Sequence, residues 1–344
     1  MTEIKERQHF LDVLRSMAAC AVVLLHTVTG VMDTTDMSQY LLEKKVFLVV
    51  MDLVCWSVPV FLLISGYLFL DPGREIPIGR MMTKYCRRIL LALFVFGVPY
   101  AWLELVMTEG RFRFGMMGEG ILMVLQGRSW AHMWYLYLLF FLYLLTPALK
   151  LLLKKLPIPA VYAIVVVLFL GCSIMPFLKS LFNLPSVFLA LPGDGIYLFY
   201  YIYGYLFAVR YHEGRKLPSF FPAMAAALAL VMAGSRIGGF NLRMAYNYPF
   251  TVLLSLSLFG AGVARQQRRP HRNTAFWEAT SALSFGVYLI HPVFLNIFYK
   301  LLGITPLSFS IWLSLPAFFL STLLLASVSA WLLRTLPPLR KYVL

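Results

Sequence analysis

The chain has 344 residues, of which 60% are hydrophobic and 13% charged, with a mean hydropathy of +0.78. Soluble domains run at about 45–50% apolar and 25% charged, so the composition argues against a soluble multi-domain enzyme and for an integral membrane protein. The net charge of +15 would suit a nucleic-acid surface, but a membrane chain acquires the same excess by retaining Lys and Arg in its cytoplasmic loops, and no nucleic-acid partner is expected.

About 20 helical residues cross a hydrocarbon core of about 30 Å. Ten apolar runs of that order follow one another, at 12–31, 46–70, 89–107, 130–149, 157–178, 187–209, 217–235, 246–264, 279–301 and 306–333. They predict an all-α integral membrane protein of about ten transmembrane helices, a single polytopic domain over 1–344. With the N-terminus in the cytoplasm, the inner segments carry Lys5, Arg7 and Arg15, then the run Arg74 to Arg88, then Lys150, Lys154 and Lys155. They continue with Arg210, Arg215 and Lys216, then Arg265, Arg268, Arg269 and Arg272, and end with Arg334, Arg340 and Lys341. Most of the 30 Lys and Arg are then inside while the 15 acids divide almost evenly, which places both termini in the cytoplasm. Residues 1–31 have the outline of a secretory signal, but Arg15 and His26 interrupt the apolar stretch and no clean small-residue cleavage site follows, so the first run is expected to stay as a span. The loop 108–129 is the one long connection and is assigned to the outside. No internal repeat is visible, which weakens a transporter built from repeated halves.

Ionisable side chains inside spans cost several kcal/mol unless a cavity or partner receives them. In the first run Arg15 and His26 are separated by ten residues. Eleven steps of about 100° return within about 20° of the starting direction, about 16 Å further along the axis, so the two share a face at different depths. That suits a cation holding an anionic donor near the cytoplasm and an imidazole handling protons deeper in. The structural alternative pairs Arg15 with Asp12 and leaves His26 to bond a neighbouring helix. The second run holds Asp52, expected in an interfacial ion pair with Lys44 or Lys45, and then Pro59, Ser65 and Gly66, which permit a kink or close helix approach. Arg80, Lys84, Arg87 and Arg88 precede the third run, as lipid-phosphate ligands or as a clamp for a soluble phosphorylated ligand.

Trp130, His132, Trp134 and Tyr135 open the fourth run, where an aromatic belt is the ordinary reading. Asp194 precedes a tyrosine-rich helix whose hydroxyls either line a sugar site or simply stand at the membrane interface, and Tyr288 and His291 lie in the ninth run. His26 and His291 both fall in the middle-to-outer part of the bilayer, where they could meet in one cavity. Asp12, Ser65, Trp134, Tyr135, Asp194, Tyr288 and His291 are therefore the cavity or acceptor candidates. The cysteines Cys20, Cys55, Cys86 and Cys172 show no metal-ligand spacing, so no metal site is expected.

Arg15 with His26, SVPVFLLISGYLF, MWYLYLLFFLYLLTP, GDGIYLFYYIYGYLF and SFGVYLIHP, in that order, resemble the membrane-bound acyltransferase 3 family over nearly the whole chain. The nearest likeness is to its short O-acetyltransferases without an added hydrolase-like domain, such as that acting on enterobacterial common antigen. The resemblance implies a multi-pass protein of the bacterial inner membrane. Its partners would be membrane lipids, cytoplasmic acetyl-CoA as co-substrate without a tightly bound cofactor, and a cell-surface glycan or lipid-linked sugar whose hydroxyl accepts the acyl group. It matches Arg15 and His26 to the family's essential first-span pair. The family's basic pair after the second span is commonly Arg, two residues, then Arg before Ile. Arg88 fits the second position, Tyr85 occupies the first, and Lys84 with Arg87 would substitute in binding the donor. The reading from another class is a transporter or flippase of a glycan precursor or small anion.

Overall fold

The computed structural model describes residues 8–182, 194–218, 220–237, 245–268 and 275–344. In chain order its helices are α1 (His9–Thr34), α2 (Leu41–Val54), α3 (Ser57–Phe69), α4 (Ile78–Arg80), α5 (Arg87–Glu109), α6 (Met116–Leu125), α7 (Trp134–Lys155) and α8 (Ile158–Phe169). They continue as α9 (Met175–Phe182), α10 (Gly195–His212), α11 (Phe221–Ile237), α12 (Pro249–Arg268), α13 (Ala275–Asn296), α14 (Ile311–Thr335) and α15 (Pro337–Tyr342). No strand occurs among the described residues. Wide π-helical turns join α4 to α5 at Met81–Cys86 and α8 to α9 at Leu170–Ile174, and extend α13 at Ile297–Leu301.

Among the described residues, seven continuous helical stretches are long and apolar enough to cross a bilayer: His9–Thr34, Leu41–Phe69, Ile78–Glu109, Ala131–Lys155, Ile158–Phe182, Ala275–Leu301 and Ile311–Thr335. The other three expected runs coincide with α10, α11 and α12. Of these, α11 has 17 residues, while tyrosines dilute the apolar character of α10, and serines, glycines and a polar last turn that of α12. The start of the sixth run, 187–193, lies outside the described residues, as do Lys5, Arg7, Arg269 and Arg272.

The chain divides into two compact units, one of Met1–Arg74 and Leu156–Ser329, the other of Glu75–Lys155 and Ala330–Leu344. In the first, α1 packs against α2, α3, α12 and α13. Its alanines Ala18, Ala19 and Ala21 are buried, and small side chains let neighbouring backbones come close where lipid tails offer no hydrophobic driving force. Towards its C-terminal end Val28 and Val31 join Phe47 of α2 and Ile311 and Leu315 of α14 in one apolar cluster. Between α1 and α2, Asp36 accepts from the Ser38 backbone N–H at 3.0 Å and the Ser38 hydroxyl at 2.8 Å, bonds that hold its carboxyl below the usual carboxylate range.

The α3–α10 crossing depends on two glycines. A Cβ on Gly66 would overlap the carbonyl of Tyr201, and one on Gly204 would overlap the backbone of Leu63 and Tyr67. Close approach is therefore the role of Gly66, with Ser65 buried beside it. In the second unit α6 occupies much of the expected long loop and packs on α5, where a Cβ on Gly120 would stand 3.2 Å from the Val98 carbonyl. Arg113 bridges Glu109 at 2.6 Å and Glu119 at 3.2 Å, fixing the chain between the two helices. Gly66→Val is expected to destabilise the protein by at least about 1–3 kcal/mol, the usual cost of overpacking, whereas Gly79→Ala, with nothing within 4 Å of its new Cβ, should be near neutral. Thermal unfolding of the two variants in detergent checks the contrast.

Candidate active site

The first unit brings together residues that α1 and α13 carry at matching depths. Near the N-terminal end of α1 Asp12 is buried, and Arg15 Nη1 stands 3.8 Å from its Oδ1 with 30% of the Arg15 side chain exposed. One residue on, the Ser16 hydroxyl meets that of Thr280 at 2.8 Å, tying this turn of α1 to α13. Deeper in, the imidazole of His26 lies against that of His291, with ring centroids 5.1 Å apart and planes inclined by 45°. Arg15 and His26 belong to one uninterrupted helix, so the phase relation expected from their spacing holds.

His291 is fully buried, and its Nδ1 lies 3.0 Å from the carbonyl of Val287 one turn earlier. A carbonyl only accepts, so Nδ1 carries the hydrogen in this contact and the neutral ring keeps its basic lone pair on Nε2. Tyr288 is also buried, its ring 6.4 Å from that of His291. Pro292 lacks the N–H that would bond the Tyr288 carbonyl in a regular helix. Beyond it, the hydroxyl of Tyr299 donates to the carbonyl of Thr27 at 2.9 Å and holds α13 and its extension to α1. Two histidines from opposite ends of the sequence are thus held as neighbours by packing on both sides of them.

Other candidates of this unit stand apart from the imidazoles. Ser65 belongs to the α3–α10 crossing, and Asp194 is exposed at the N-cap of α10. The tyrosines of α10 are largely structural: Tyr200 and Tyr201 are fully buried, and the Tyr200 hydroxyl donates to the carbonyl of Tyr246 at 2.7 Å.

The second unit holds the basic run and the aromatic boundary. Lys84 and Arg87 are exposed on and just after the π-helical turn, with Lys84 Nζ 5.6 Å from the centre of the Tyr85 ring. Arg88 is half-buried and donates to the main-chain oxygens of Val343 and Leu344. Trp134 and Tyr135 meet edge to face at 6.0 Å at the start of α7, with Tyr135 buried. Just before them Trp130 stacks on Tyr100 at 4.3 Å and His132 is buried beside the pair. These contacts make the aromatic residues a packed cluster within the unit.

A family model described as an acyltransferase domain matches residues 8–333. The chain belongs to the acyltransferase 3 family. No curated protein and no solved structure matches it. The apolar helices together with membership of this family make it a multi-pass membrane protein and an acyltransferase.

For this acyltransferase the sequence misassigned one charged group and passed over another. Asp52 does not pair with Lys44 or Lys45: Arg236 of α11 donates to it through Nε at 2.5 Å and Nη2 at 3.3 Å, with the side chains 1% and 8% exposed. The nearest cation in sequence was the wrong one because α11, far along the chain, packs on α2. Arg236 sits in the last turn of an apolar helix, where a charge signals a partner or a boundary without naming which. Removing one member of a buried pair strands the other charge, so Arg236→Ala is expected to destabilise the protein by about 3–5 kcal/mol. Replacing both by apolar residues, Asp52→Leu with Arg236→Met, should recover most of the loss in a thermal unfolding measurement.

Proposed function

We propose that this acyltransferase moves acetyl from cytoplasmic acetyl-CoA to a hydroxyl of a cell-surface glycan or its lipid-linked precursor, and that α10, α11 and α12 complete ten spans with both termini in the cytoplasm of a bacterial inner membrane. The observation that carries the reading is the His26–His291 contact on a helix that presents Arg15 towards the predicted cytoplasmic end. A sugar hydroxyl is a weak nucleophile. An imidazole that removes its proton as the oxygen attacks the thioester carbonyl contributes about 10²–10⁴ in rate. In this scheme the new C–O ester bond forms, the C–S bond breaks, and the CoA sulfur leaves to be protonated. His26 is the base and His291 its positioning neighbour. Arg15 orients the donor, and Lys84, Arg87 and Arg88 receive the anionic part of CoA.

His26→Ala is expected to leave the protein folded in the membrane while acetate on the acceptor glycan falls by about 10²–10⁴, read by mass spectrometry of surface glycans from cells carrying either form. Unchanged acetylation would overturn the assignment. Purified protein incubated with acetyl-CoA should transfer or hydrolyse the acetyl group, and a flippase would do neither.

A further inference from the structure

The second unit carries a helix that is apolar on every side. In α6, Met116, Gly120 and Val124 are buried, and Gly120 and Val124 lie against α5 at Val98 and Gly97. Met117, Gly118, Ile121, Leu122 and Leu125 are exposed. Glu119 is the one charged residue in the helix, and Arg113 holds it at 3.2 Å. The turn before α6 exposes Phe112 and Phe114, the latter to 89%, and the end of α5 exposes Leu103 and Met107. A helix that is apolar all round has to be covered all round, and α5 covers only one side of this one.

Three observations bear on what covers the rest. The backbone at both ends of α6 is closed internally: the N–H groups of Met116, Met117 and Gly118 donate to the carbonyls of Arg113, Phe114 and Gly115. At the other end those of Gln126, Gly127 and Arg128 donate to the carbonyls of Leu122, Val124 and Met123, and the Tyr137 hydroxyl adds a bond to the Val124 carbonyl. Water makes such closure dispensable, whereas hydrocarbon demands it. The 23 residues of α5 span about 35 Å, slightly more than a hydrocarbon core of about 30 Å, so with Arg87 in one headgroup layer Glu109 stands in the other. From there α6 turns back, and its 10 residues cover about 15 Å, too little to cross. Exposed arginines stand beyond both of its ends, Arg111 and Arg128, so neither end suits the hydrocarbon interior. A helix with these constraints lies along the interface.

We propose that the α5–α6 hairpin docks on the lipid leaflet at the end of α5 remote from Lys84 and Arg87, with Met117, Ile121, Leu122 and Leu125 among the acyl chains and Arg111 and Arg128 at the lipid phosphates. Bilayer lipid fits this surface better than a second copy of the chain for two reasons. Guanidinium groups at both ends of an apolar face match phosphates above acyl chains. The face is also continuous with the span: Val95, part-way along α5, is exposed like Leu103 and Met107. The segment 108–129 then belongs to the membrane-facing surface and is not a connection held in water.

The test is nitroxide labelling of the full-length protein in vesicles of phosphatidylethanolamine and phosphatidylglycerol. Cys20→Ser removes the cysteine that is not buried, and the label is carried in turn at Met117→Cys, Leu122→Cys and Arg128→Cys. Collisions with oxygen, which partitions into lipid, are compared with collisions with a water-soluble nickel chelate. The labels at 117 and 122 are expected to favour oxygen and to lie about 5–10 Å into the boundary between headgroups and chains, with the label at 128 shallower than both. Preference for nickel at 117 and 122 puts the hairpin in water and overturns the proposal. Protection from both reagents means that protein covers the face, as a second copy would, and overturns it equally. A label at 128 as deep as that at 122 overturns the placement along the interface. If thermal unfolding shows that one of the α6 variants does not fold, Leu125→Cys, at another exposed side chain of the same face, takes its place.

Discussion

Hydrocarbon offers no hydrogen-bond partners, so every polar side chain that a helix carries into the bilayer has to be met by another part of the protein. The first unit is organised round that constraint along α1. Asp12 has Arg15 beside it, Ser16 meets Thr280, Thr27 bonds back to the Val23 carbonyl one turn earlier, and His26 lies against His291. All four arrangements involve polar side chains that a purely apolar helix would not carry. Two of them bind α1 to α13, one near the N-terminal end of α1 and one further along the same helix pair.

The same constraint explains features remote from the imidazoles. Asp52 and Arg236 are both withdrawn from solvent and satisfied by each other, which fixes α2 and α11 as neighbours just before the break between α2 and α3. Arg88, placed at the start of a span, finds its oxygens on the main chain of Val343 and Leu344. Where polar partners are not involved, backbone proximity does the work: Gly66 and Gly204 let α3 and α10 cross with no side chain between them. A catalyst gains from this rigidity, because a base one ångström out of place loses much of its advantage.

Several elements could be read directly from the residue pattern. The apolar runs located the long spans, the 11-residue step placed Arg15 and His26 on one face, and the small residues of α3 pointed to a close crossing. Of the ten expected runs, seven are clearly apolar helical stretches among the described residues; α10 falls outside that set because hydropathy treats the ring of tyrosine as polar, while Tyr200 and Tyr201 are fully buried like core residues. Two other readings went astray for want of tertiary contacts. The loop 108–129 concealed α6, whose ten residues are too few to cross a bilayer and whose stability comes from packing on α5. Asp52 was given its nearest cation because sequence distance was the only distance at hand.

Composition and periodicity by themselves determined that this chain is helical, lives in a membrane and carries a cation and an imidazole in phase on its first helix, since these depend on local apolarity and a fixed rotation per residue. Which groups those residues meet was decided by tertiary structure alone. His26 with His291, Asp52 with Arg236, and Arg88 with the main-chain oxygens of Val343 and Leu344 each join segments more than 180 residues apart, and no local rule carries information over that separation.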